Sequence, residues 1–363
     1  MSKLDKLLRE LCPDGVECVK LGTLCSLITK QTGFDYTNHI KARLLMEPAE
    51  NAVPYIQTKF FAGKNFNYQT DYYVPMDIVE QFPKITLDEK CILFSIVGAS
   101  IGNVGLFPGE RKCFLGGAIC VAKVLPQYDV DYVYYCVESH NVQHQIRRKT
   151  KGAGQATITV EDIREFEIPL PPIEIQSEIV RILDNFTNLT AELVKELTAR
   201  KTQYGYYRNK FLDFESSVSV KTIGDICDVV VGGEPPTDCI KGDVRDSTHI
   251  YPVWGNGKEV YGYSGTYKID RDAVVISSIG ANTGAVYYKE AFFTPIIRLK
   301  VILPKDNRIN ARFLFHALSG TTIKSKSSSV PNMNANEIKA IKIPVPPLDV
   351  QNRIVNVLDN FEK

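Results

Sequence analysis

Twenty-four residues of this chain are written twice. IREFEIPLPPIEIQSEIVRILDNF, from Ile163 to Phe186, aligns without a gap on IKAIKIPVPPLDVQNRIVNVLDNF, from Ile338 to Phe361, and twelve of the twenty-four positions are identical. The two copies start 175 residues apart. Solenoid units run to about 20 to 50 residues, so a period this long marks a duplicated domain with its own connector. Pro169, Pro171 and Pro172 bar a helix from running through them, while a proline suits a first helical turn. Each copy therefore closes one globular unit and begins a rod.

The first rod is predicted over 172–214. Apolar residues recur at Ile175, Ile179, Ile182/Leu183, Phe186, Leu189, Leu193, Leu197, Tyr204 and Phe211, with neither Gly nor Pro before Gly205, which is the stripe of a helix lying along a partner. Acidic residues come early (Glu174, Glu178, Asp184) and basic ones late (Arg200, Lys201, Arg208, Lys210), matching the helix dipole. Some 40 residues at about 1.5 Å each make a rod of roughly 60 Å, which needs a second helix beside it. The second copy supplies only a short one, 347–363. SKLDKLLRELCPDGVECVKLGTLC resembles in layout the end of the first rod and its exit, YRNKFLDFESSVSVKTIGDIC. Lys3 to Leu11, or a second copy of the chain, is therefore expected to complete the bundle.

The same features recur in the same order in both halves. VECVKLGTLC is answered by VSVKTIGDIC, with Gly22 matching Gly224, and SIVGASIGNVGLF by SSIGANTGAVYY, with Gly98 and Gly102 matching Gly280 and Gly284. Short β-type runs separated by Gly, Pro and Asn turns fill each half. An aromatic-rich helix follows, DYVYYCVESHNVQHQIRR in one half and NARFLFHALSGTTIK in the other, and then a polar loop. The middles, 30–66 and 231–267, do not repeat. The expected organisation is a β-rich unit over 1–171, a helix over 172–214, a second β-rich unit over 215–346 and a short helix over 347–363.

Few signs of chemistry are present. No GxxxxGK[ST] loop or NPPY-type run occurs, and the GxG of Gly152 and Gly154 does not lie between a strand and a helix. Asp88 and Lys90 lack an upstream acidic partner for a nuclease site, and His140 and His144 lack further metal ligands. Nine cysteines without a CxxC pair fit reduced, mostly buried thiols. With no apolar leader and no run of eighteen apolar residues, a cytoplasmic protein off the membrane is expected. The net charge of +1 conceals basic clusters at Arg147, Arg148, Lys149 and Lys151, and at Lys300, Lys305, Arg308 and Arg312, which can steer an anionic polymer.

Two unlike β-rich units, each closed by an IPLPP- or IPVPP-type strand, a Glu/Asp-x-Gln helix start and an Ile-Val-x-x-Leu-Asp run, resemble the DNA specificity subunit of a Type I restriction-modification enzyme. The resemblance covers the whole chain and includes the opening LCPDGVECVKLG. It implies an α+β fold: two β-rich target recognition domains with small helices, joined by long antiparallel spacer helices as a pseudo-two-fold repeat. Each domain would read one half of a split double-stranded DNA site, and the helices would set the gap. They would also dock two methyltransferase subunits, which restriction/translocase subunits join, with Ile179, Phe186, Leu193 and Leu197 as the docking face. This chain would hold no cofactor; S-adenosylmethionine, ATP and Mg would sit on those partners. Side chains with the donors and acceptors that groove readout needs lie in the unlike middles: Lys30, Gln31, Thr32, Tyr36, Lys59, Lys64 and Asn65 in the first unit, and Thr237, Lys241, Arg245, Asn256 and Lys258 in the second. Lys151, Gln155, Lys324 and Lys326 suit backbone contacts. The competing reading is a two-module protein-interaction scaffold without DNA specificity.

Overall fold

The computed structural model describes residues 2–150, 156–214, 218–243, 245–280, 282–319 and 333–361. Contacts divide the chain into two units, Met1–Ala191 and Glu192–Lys363, and the division falls inside a 40-residue helix, Ile173–Leu212. The two units carry the same plan.

In the first unit a four-stranded antiparallel sheet runs in the order Cys25–Lys30, Ile119–Val124, Cys91–Ser95, Val104–Phe107. A second sheet runs Tyr73–Pro75, Ala52–Ile56, Cys113–Leu115, Thr86–Leu87 and contains one parallel pairing, Ala52–Ile56 with Cys113–Leu115. The second unit repeats the first sheet as Cys227–Val231, Lys300–Pro304, Ala273–Ile276, Val286–Lys289, and three strands of the second as Gly262–Ser264, Tyr251–Trp254, Thr294–Pro295, with Tyr251–Trp254 parallel to Thr294–Pro295; its fourth strand, Ile240–Lys241, adds beside Gly262–Ser264, the opposite edge from that taken by Thr86–Leu87 beside Cys113–Leu115. Thus even the units' unlike parts share a three-stranded core that their residues do not announce. Strands such as Cys91–Ser95 and Ala273–Ile276 are buried on both faces, so they read as continuous apolar runs.

The repeated segment has one structure in both places. Thr159 accepts from the Asp162 N–H while the Asp162 carboxylate takes the Thr159 N–H, and Asn334 and Glu337 do the same, so a capping box starts each short helix, Val160–Arg164 and Ala335–Lys339. The Pro-rich strands then pair antiparallel with the opening strands: Glu167–Pro169 with Cys18–Lys20, and Lys342–Pro344 with Val220–Thr222. The matched glycines permit close packing here. A Cβ on Gly22 would lie 3.1 Å from the Arg164 carbonyl oxygen, and one on Gly224 would lie 3.2 Å from Lys339 Cβ.

Two elements differ from expectation. The aromatic-rich stretch of the first unit is two helices, Val130–Glu138 and His140–Lys149, because Ser139 leaves the helical region (ψ 153°). The break lets Val142 and Ile146 reach the same core as Tyr132, Val133 and Val137. Of the short β-type runs expected in the first unit, the one spanning Phe66 to Val74 yields strand only at Asn65–Phe66 and Tyr73–Pro75. The second rod helix is short, Leu348–Asp359, and among the described residues no helix is long and apolar enough to cross a membrane.

Candidate nucleic-acid interface

A polar pair in each copy of the repeat fastens the rod to its unit. Gln176 is buried; its Nε2 donates to the Pro171 carbonyl (2.8 Å) and its Oε1 accepts from the Asp129 N–H (3.1 Å) at the start of Val130–Glu138. Gln351 does the same with the Pro346 carbonyl (2.8 Å) and the Asn310 N–H (2.9 Å) before Ala311–Ser319. Eight residues on, Asp184 accepts from the Tyr135 hydroxyl (2.5 Å), and Asp359 faces His316 Nε2 (2.7 Å) and Arg312 Nε (2.8 Å).

The partners of the two aspartates are complementary in charge. With Asp129 answering Asn310, Asp131 falls where the second unit has Arg312. In the second unit the guanidinium meets Asp359 directly. In the first, two carboxylates would face one another, and Lys64 lies between them, 2.6 Å from Asp131 and 2.5 Å from Asp184. Although burial opposes its charge, Asp131 and Asp184 raise the Lys64 ammonium above its usual range. The amine also sits over the Tyr135 ring. Lys64, expected to meet DNA, is therefore turned inward, because the Asp131–Asp184 pair needs a cation.

The other expected residues separate into groups. Lys30 and Thr32 line a cavity of about 370 Å³ with Phe34 and Phe82. Gln31 donates to the Leu115 carbonyl (2.5 Å), and Tyr36 takes the Tyr55 hydroxyl proton (3.4 Å). Lys59 is exposed and ion-paired with Asp71. In the second unit Thr237, Lys241, Arg245 and Lys258 are all exposed, Lys241 over the Tyr261 ring and Arg245 over that of Tyr263. Asn256 is committed to the backbone at both ends: its Nδ2 donates to the Ile297 carbonyl and its Oδ1 accepts from the Ser278 N–H (2.7 Å). It positions a neighbouring turn through both ends of its amide. Lys151, Gln155, Lys324 and Lys326 lie outside the described residues, as does the Asn65 side chain.

On the long helix, Phe186 and Leu193 are each 64% exposed and Leu197 53%. Ile179 instead packs into the core of the first unit, since it lies on the face that the helix start turns toward that core. Near the amino end, helix Lys3–Leu11 reaches the same rod through Lys3 and Glu178 (2.9 Å).

Sequence reasoning missed a cluster in the second unit. A cavity of about 530 Å³ is lined by Arg245, Tyr251, Trp254, Tyr263, Lys289 and Phe292 among others, and Lys289 Nζ lies 2.9 Å from the Trp254 ring centre. Burial draws the Lys289 ammonium down to about 8. Aromatic faces beside cations suit bases and phosphates together. Trp254, the single tryptophan of the chain, was the signal available. Among the described residues no group of His, Cys, Asp and Glu could hold a metal ion.

With the geometry in place, comparison with known proteins is decisive. The model of the Type I restriction modification DNA specificity domain matches residues 13–200 and again 215–363. The chain belongs to the Type I specificity family. Within it, the chain is 34% identical over 227 residues to the Escherichia coli EcoR124I/EcoR124II specificity subunit, covering 55% of this chain and 56% of that protein. A putative type I specificity subunit of Mycoplasma pneumoniae is 30% identical over 205 residues, covering 54% of this chain and 55% of the relative. Matches to these curated relatives thus span about half their length. The crystal structure of a Type-I restriction-modification system S subunit from M. genitalium shares the fold: TM-score 0.65 at 17% identity, covering 96% of this chain and 90% of that one. The α+β fold with a repeated unit expected from the sequence is that of the Type I specificity family.

Proposed function

We propose that the chain is the non-catalytic, sequence-reading subunit of a Type I restriction-modification enzyme, each β-rich unit gripping one half of a split DNA site. The observation that carries this reading is the repetition of one fastening, Gln176 with Asp184 and Gln351 with Asp359, beneath heads that share part of their sheets but not their residues. A repeated mount with two unlike heads fits a bipartite target. The helix Ile173–Leu212 sets the gap, as the geometry of dimeric repressors sets the spacing of their half-sites. Two methyltransferase subunits carrying S-adenosylmethionine dock on the exposed Phe186, Leu193 and Leu197, and restriction subunits supply the ATP- and Mg-dependent steps. A methylated adenine must leave the stack, so the heads need only hold the duplex while a partner acts.

Two measurements test this. Binding to duplex DNA should weaken steeply with salt, because each neutralised phosphate releases counterions. Mapping methylated adenines in the source genome with and without this gene should show one bipartite motif vanish. Binding insensitive to salt, together with an unchanged methylation map, would leave the protein-scaffold reading in its place.

A further inference from the structure

The two units present different chemistry at one equivalent place. In the parallel ladder of the first unit Tyr55 pairs with Phe114 and Ile56 with Leu115; in the second, Val253 pairs with Thr294 and Trp254 with Pro295. Immediately beyond, Gln57 and Thr58 answer Gly255 and Asn256, while Gly116 to Ala118 answer Ile296 to Arg298. The same bond closes both turns, Ile119 N–H to the Gly116 carbonyl (3.2 Å) and Leu299 N–H to the Ile296 carbonyl (3.0 Å).

In the second unit this turn is strained. Ile297 and Arg298 have φ of 52° and 59°, the left-handed region, as in a turn that normally takes Asn-Gly. A β-branched residue there costs on the order of 1–3 kcal/mol. The surroundings impose the conformation. The Ile297 and Arg298 N–H groups donate to the Gly233 and Gly232 carbonyls (2.8 and 3.0 Å). Asn256 donates to the Ile297 carbonyl, and Ser278 Oγ (2.7 Å) and Lys300 Nζ (2.9 Å) to that of Arg298. Gly232 allows the approach, since a Cβ there would lie 2.8 Å from Ile296 N. Every backbone polar group of the pair is tied inward and both side chains are exposed. What this arrangement fixes is the point from which the exposed Arg298 side chain leaves the backbone, beside an apolar neighbour.

In the first unit the same place is concave. A cavity of about 280 Å³ is lined by Tyr36, Tyr55, Gln57, Thr58 and the Gly116–Ile119 turn. Gln57 Oε1 and Gln31 Oε1 are buried acceptors with no hydrogen-bond partner among the described residues, which is costly unless a donor arrives.

We propose that this turn and the strand end beside it form the base-reading edge of both units, Arg298 reading a guanine in one half-site and Gln57, its amide swung out of the cavity wall, accepting from the exocyclic amino group of an adenine or cytosine in the other. The inference rests on the DNA-reading function proposed above. An Arg fork matches guanine O6 and N7, and a carbonyl acceptor matches adenine N6 or cytosine N4. Phosphate contact alone would be served by a mobile lysine and would not call for a strained, five-bonded mount.

The test is selection of binding sites from random-sequence duplexes by the full chain in its methyltransferase complex, repeated with Arg298→Ala, Arg298→Lys and Gln57→Met. Wild type should select one bipartite consensus. Both Arg298 variants should lose preference at a guanine in one half-site, by roughly 5- to 150-fold, and leave the other half-site intact. Gln57→Met should do the reverse, at an adenine or cytosine. Arg298→Lys keeps the charge, so relaxed preference with unchanged affinity for random DNA separates base reading from phosphate contact. An unaltered consensus, or equal weakening on all sequences, in variants that melt like wild type overturns the assignment. A wild-type complex that selects no consensus instead removes the DNA-reading function itself.

Discussion

Ile297 is held against its own preference. Its left-handed φ is imposed by a hydrogen bond from Asn256 to its carbonyl and one from its own N–H to the Gly233 carbonyl, and its side chain is 43% exposed, so glycine should relieve strain at little loss of packing. Ile297→Gly is expected to raise stability by about 1 kcal/mol, read as a higher urea midpoint; a lower midpoint would show that the turn is not strained. Gln351 is the opposite case, a buried side chain bonded to one N–H and to the Pro346 and Arg308 carbonyls. Gln351→Ala orphans those groups and should cost about 1–3 kcal/mol. The same change at Gln176 should cost a similar amount, and a neutral result at either would deny the fastening. Both glutamines were legible as identical polar positions inside an apolar repeat. The roles of Lys64 and Asn256 were not, because each is decided by a partner that only the folded chain brings near.

At the scale of the elements, the long helix has two kinds of surface. Its start is packed and its charges are paired. Arg181 and Lys3 together hold the Glu178 carboxyl down to about 2, from an ordinary 4.5. A depressed folded value means that the contact stabilises fully above about pH 4.5 and is lost as pH falls toward 2. Melting temperature against pH should therefore fall more steeply in acid for wild type than for Glu178→Gln, and parallel curves would show that the pair contributes nothing. Farther along, Phe186 and Leu193 are exposed, whereas Phe361, which answers Phe186, stacks on Tyr207 at 5.5 Å. Replacing Phe186 and Leu193 by Ser should leave stability within about 0.5 kcal/mol yet weaken co-purification with the methyltransferase subunits. Unaltered co-purification would place their docking elsewhere.

For the whole molecule, a rod that acts as a ruler makes a geometric prediction. Two helical turns, about seven residues or ~10.5 Å, inserted after Leu193 should lengthen the preferred gap between half-sites, scored by methylation of substrates with graded spacers; an unchanged preference would refute the ruler. The sequence by itself determined the duplication, the Pro-bounded rods and the matched openings. All of these are periodic or short-range signals, and a second copy in the same chain makes them visible. Tertiary structure alone decided the three-stranded core common to the unlike parts and which of their polar side chains face outward. Lys64 meets Asp184 across 120 residues, and the Ile297–Arg298 turn takes its shape from four other segments, so neither outcome is written in any local pattern. Strand pairing over long separations chooses partners that neighbouring residues cannot specify.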